Sequence, residues 1–157
     1  MRSIGLIYLL LSLPSVAQGA EWAGIWKGVL TNSPTTPEAR AVEVTMEIGP
    51  WPTADNACAT WRSTYREEGT VKQVKDYRLC QGIGAQSLFV DEGNGTRLSA
   101  QWIGDMLVVP FQYNKFLVIS TTRLRDGGTL EEEILTIEDG PPLKTTAVQR
   151  IVLHRAQ

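Results

Sequence analysis

The chain has 157 residues, 43% of them hydrophobic and 20% charged, with a formal net charge of −2 and an isoelectric point near 5.4. That balance excludes an intrinsically disordered chain and a basic nucleic-acid binder. One His excludes any mechanism that needs two, and two Cys allow at most one internal disulfide and no zinc-ribbon or iron–sulfur framework.

Residues 1–20 have the pattern of a cleaved export signal. Met1-Arg2 gives a positive start, 4–13 an apolar stretch, and Pro14 a break. Ala17 and Gly19 place small side chains at the −3 and −1 positions of a cut before Ala20, and a cut before Glu21 fits nearly as well. The stretch falls well short of the roughly twenty apolar residues of a spanning helix, and no other segment is long enough, so no membrane span is expected. Removing the signal leaves 21–157 as a single domain of ordinary size. Its 14 basic against 17 acidic residues give a charge of about −3. That charge argues against nucleic acid and anionic membranes as partners. A periplasmic or secreted location is expected.

From 25 onward, short runs rich in Val, Ile, Thr and aromatic residues are separated by Gly, Pro, Asn or Asp about every eight to twelve residues, a strand rhythm. The runs lie at 25–30, 41–48, 59–65, 71–79, 87–90, 97–103, 106–112, 116–124, 130–137 and 146–154. In the second, Val42, Val44, Met46 and Ile48 share one face before Gly49-Pro50-Trp51-Pro52 stops it. Glu131-Glu132-Glu133 has helical propensity, but it sits between two turns at strand spacing and is read as a strand. One helical turn is anticipated at 35–40. Short connections make neighbours pair antiparallel, and a meander of eight to ten strands avoids exposed edges by closing into a barrel.

Cys58 and Cys80 lie symmetrically about Gly69. A hairpin centred there opposes them at the ~4.5–5.5 Å Cα separation that a disulfide spans. The same register pairs Arg62 with Asp76 on the Cys face and Trp61 with Tyr77 on the other, unless a bulge at the turn shifts it. Export makes the disulfide the expected state.

At the start of the domain, Gly24 allows a tight turn, and Trp26, Gly28 and Leu30 fall on one inward face. This Gly24-Ile25-Trp26 opening resembles that of lipocalins and the wider calycin group, which includes avidins and fatty-acid-binding proteins. The resemblance implies a calycin-like barrel with a basic residue near the last strand packed across the Trp. Arg150 and Arg155 are the two candidates.

The aromatic residues Trp26, Trp61, Tyr65, Tyr77, Trp102 and Phe111 all fall on the more apolar face of their runs. Inside a barrel they either line a pocket for a small apolar or aromatic ligand or simply fill the core. Trp51, between two prolines, is a candidate for the barrel mouth or for packing over one end. Glu132 shares a face with Leu130 and Ile134. Turned inward, it would pair with Arg123 or Arg125, or meet a polar ligand. The sole His, His154, has the chain-end position of the axial ligand in haem-binding barrels similar to nitrobindin, but a surface or rim role is favoured. Asn94-Gly95-Thr96 matches a glycosylation acceptor and is read first as a hairpin turn. No metal site, cofactor or catalytic residue is expected. The expectation is an exported, non-enzymatic barrel that binds a small molecule. The alternative is a protein-binding module, such as an inhibitor of an exported protease.

Overall fold

The computed structural model describes residues 18–36 and 40–157. The apolar stretch of the expected export signal, and residues 37–39 of the anticipated helical turn, lie outside the described residues. Thr35, Thr36 and Arg40 have no helical conformation.

A single 3-10 turn, Ala20–Trp22, leads into ten strands: β1 (Gly24–Ser33), β2 (Val42–Ile48), β3 (Cys58–Glu67), β4 (Thr70–Gln81), β5 (Leu88–Asp91), β6 (Arg97–Ile103), β7 (Met106–Tyr113), β8 (Phe116–Leu124), β9 (Thr129–Glu138) and β10 (Lys144–Arg155). Each pairs antiparallel with the next, and β10 returns to β1, so the meander closes into a barrel. Closure gives every strand a neighbour on both sides and explains how the Glu131-Glu132-Glu133 run becomes a strand. β9 is hydrogen-bonded to both β8 and β10, and that pairing outweighs a weak helical preference.

The β3–β4 hairpin has the register that the cysteines imply. Cys58 faces Cys80, Arg62 faces Asp76 and Trp61 faces Tyr77. The disulfide is formed, and Arg62 Nε donates to Asp76 Oδ1 at 2.9 Å. The turn places Glu68 at φ 48° and Gly69 at φ 76°, the left-handed pair of a two-residue hairpin turn. A bulge at Lys72 absorbs the one-residue slip between that turn and the ladder below it.

The barrel is filled unevenly. Trp26, Met46, Leu79, Leu107, Leu130 and Leu153 are almost completely buried and pack the half nearest the 3-10 turn. β5 and β6 form a short hairpin at this same end. β4 is 12 residues long, yet it meets β5 only over Arg78–Gln81. Likewise, β6 meets β7 only from Gln101↔Val108 to Ile103↔Met106. The upper parts of β4 and β7 therefore run past the hairpin and leave a notch in the wall above it.

The Cys58–Cys80 bond closes a loop of 22 residues, for which loop entropy gives about 3 kcal/mol. Replacing both cysteines by serine should lower stability by about that amount in urea unfolding, with the native far-UV circular dichroism retained.

Candidate functional site

Above the packed half lies a cavity of about 490 Å³ that opens through the notch and the upper rim. The β3–β4 register places Trp61, Ser63 and Tyr65 on one wall, opposite Tyr77, Lys75 and Gln73 on the next. Phe111 on β7 and Ser120 on β8 face them across the barrel, with Glu132 on β9. The alternation of strands fixes these directions, because residues two apart share a face.

Glu132 is the polar focus. Its Oε1 accepts a hydrogen bond from Ser120 Oγ at 3.0 Å. The accessible surface that Glu132 retains borders the cavity. Burial pushes its carboxyl above the ordinary carboxylate value, against the opposing pull of Lys75 and of the Ser120 bond. Burial, and then the charge of Glu132, also hold the Tyr65 phenol above its ordinary value, so it stays protonated and able to donate. Lys75 Nζ sits 5.3 Å from the centre of the Tyr65 ring, a cation–π distance that keeps the ammonium against the inner wall.

Of the six aromatic candidates, Trp61, Tyr65, Tyr77 and Phe111 line this cavity. Trp26 and Trp102 do not. Trp26, 1% exposed, is core, and its Nε1 donates to Trp22 O at 2.8 Å. Trp102 packs edge-on against Trp22 with ring centres 5.2 Å apart. Trp51 also belongs to the closed end. It lies 5.4 Å from Trp102 and 6.0 Å from Trp22, so it caps the end opposite the rim and does not guard the mouth. Its position follows from β2 running downward, which delivers the Gly49-Pro50-Trp51-Pro52 loop to the packed end.

Four further expectations are corrected or settled. Glu132 does not pair with Arg123 or Arg125; both arginines point outward to Glu131, at 3.6 and 2.7 Å. The cause is parity, since Arg123 stands opposite Glu131 while Glu132 stands opposite Thr122. Of the two basic candidates near the last strand, Arg155 covers Trp26, its guanidinium carbon 4.3 Å from the ring centre. Arg150 is on the outer face with Glu133 at 2.8 Å. His154 is exposed on the outer face of β10, away from the cavity, so it cannot serve as an axial ligand there. Asn94 does sit in a turn, its Oδ1 accepting from the Thr96 backbone at 2.9 Å.

Two elements escaped the sequence reading. Trp22, 2% exposed, is the centre of the closed end, and nothing but its spacing before Gly24 marks it. Lys75 was overlooked although a signal for it existed, since it lies two residues from Tyr77 and opposite Ser63 in the Cys-derived register.

The chain matches no protein-family model and no curated protein.

A carboxyl whose folded value is raised binds its proton more tightly in the folded state. Its contribution to stability is therefore full at low pH and is lost as the pH rises from the ordinary carboxylate value through the raised one. Glu132→Gln, which keeps an acceptor for Ser120, should melt higher than the native protein at neutral pH by roughly 2–4 °C. The difference should vanish in acid. Thermal melts between pH 3 and 8 check it, and a constant offset across that range would contradict the assignment.

Proposed function

We propose that this protein is an exported, non-enzymatic barrel that holds a small molecule in its interior. The observation that carries the reading is the 490 Å³ cavity, with aromatic rings on its walls, a notch for entry and a carboxyl set within it. Such an enclosed space, apolar in part and with a few convergent polar groups, is the form that small-molecule sites take. A body of apolar or aromatic character suits Trp61, Tyr77 and Phe111.

Export is supported by the pattern of residues 1–20 and by the Cys58–Cys80 disulfide, a bond that persists in oxidising compartments. Among the described residues no helix is long and apolar enough to cross a membrane. A non-enzymatic role is favoured because the Ser120–Glu132 pair has no His within the cavity to act as base. An inhibitor that inserts its leading segment into a protease fits less well. Here that segment is docked, with Arg155 donating to the carbonyls of Glu21 and Ala23 at 2.6 Å each.

Native mass spectrometry of protein isolated from its own host should show a retained small molecule. Val118→Trp, which fills the space from β8, should abolish that retention while leaving the melting transition intact. Equal retention by the variant would place the ligand outside the barrel and overturn the reading.

A further inference from the structure

Two opposite charges face this cavity without meeting. Lys75 on β4 and Glu132 on β9 both line it. Among the described residues each acid beside Glu132 has its arginine, Glu131 with Arg125 and Glu133 with Arg150, whereas no ion pair within 4.0 Å joins Glu132 to Lys75. Ser120 engages one oxygen of Glu132, and since no buried polar atom is left unsatisfied, the other faces open space. Lys75 is held over Tyr65, turned toward the same space. Glu92, the remaining acid of the lining, stands beside Tyr77.

Charges enclosed by protein and left apart are poorly solvated, and a guest that contacts both recovers charge-assisted hydrogen bonds at each. A purely anionic guest would satisfy Lys75 but meet two acids. A purely cationic one would leave Lys75 beside it unpaired, and a hydrocarbon would strand all three charges.

We propose that the cavity takes an amphoteric aromatic molecule. Its ammonium group sits on the free oxygen of Glu132, its carboxylate on Lys75 and its ring among Trp61, Tyr77 and Phe111. This rests on the interior-ligand reading and narrows it to a ligand class.

Four matched probes separate the two levels by ligand-observed NMR titration of the whole protein. These are L-phenylalanine, phenethylamine without the carboxylate, 3-phenylpropanoate without the amine, and propylbenzene with neither. L-Phenylalanine should bind about 10-fold tighter than either one-armed analogue, about 1.4 kcal/mol per contact. Glu132→Gln should erase its advantage over 3-phenylpropanoate, and Lys75→Met its advantage over phenethylamine. Both variants should still bind propylbenzene, at least as tightly as the native protein does, because each removes a charge that a hydrocarbon strands. Near-UV circular dichroism and the propylbenzene affinity show whether each variant keeps its fold. Equal affinities for all four probes, or a phenylalanine preference that survives both substitutions, would overturn the polar assignment. The interior site would still stand if Val118→Trp abolished propylbenzene binding. If none of the four binds, the interior reading and the ligand class fail together.

Discussion

The stacking of Arg155 on Trp26, at the seam where β1 meets β10, is the contact that organises the closed end of the barrel. It joins the first strand to the last, because Trp26 and Arg155 are direct partners across the β1–β10 seam. The guanidinium then spends its donors on Glu21 O and Ala23 O, tying the chain before β1 across the barrel end. Arg155 is exposed, so its cation–π contact contributes about 0.5–1 kcal/mol, and its two charge-assisted hydrogen bonds add to that tie. Glycine is required at two places for this arrangement. Gly24 has φ 142°, and a Cβ there would run into Arg155; a Cβ on Gly28 would collide with the Val152 carbonyl.

The same contact makes the interior asymmetric. By fixing the 3-10 turn, Arg155 sets Trp22 in place, and Trp22 gathers Trp51, Trp61 and Trp102 around it. Four of the five tryptophans of the chain thus serve one end as core or cap, and the fifth, Trp61, touches that cluster and also lines the cavity above it. The bulk available to fill a ten-stranded barrel is concentrated there, and the upper half is walled by smaller or more polar side chains such as Ser63, Ser120 and Thr136. The short β5–β6 hairpin reinforces the same division, because it completes the wall where the core is packed and stops where the cavity begins.

Local rules made the frame legible and left the site half hidden. The spacing of β-rich runs between turn residues located the strands, whose number it left at eight to ten, and the Cys symmetry set a register that holds from Cys58↔Cys80 to Tyr65↔Gln73. The identity of the covering arginine was not legible, since Arg150 and Arg155 differ in parity and the bulge between Thr145 and Ala147 is silent in sequence. Nor was the destination of Trp51 and Trp102, because up or down depends on counting every strand between them and β1. Glu132 faces the interior as its shared face with Leu130 and Ile134 suggested, but of its expected partners, an arginine or a polar ligand, the arginines are ruled out. Proximity in sequence suggested Arg123 and Arg125, whereas pairing across a ladder couples side chains on the same face only.

The triplet Glu131-Glu132-Glu133 shows why parity matters for function as well as for fold. The outer two acids face water, find arginines and cost the fold little. The middle one has identical chemistry, but the strand turns it into an enclosed space where its charged form is disfavoured. An apolar side chain at that position would pack against Ile134 and Leu130 and close part of the cavity at a gain in stability, as buried charges commonly allow. A barrel under selection for stability alone has no use for Glu132, and still less for Lys75 across from it. Two such departures from the apolar rule, set on opposite walls of one cavity with its aromatic rings between them, cost the fold stability, and they are the departures that the proposed ligand would use.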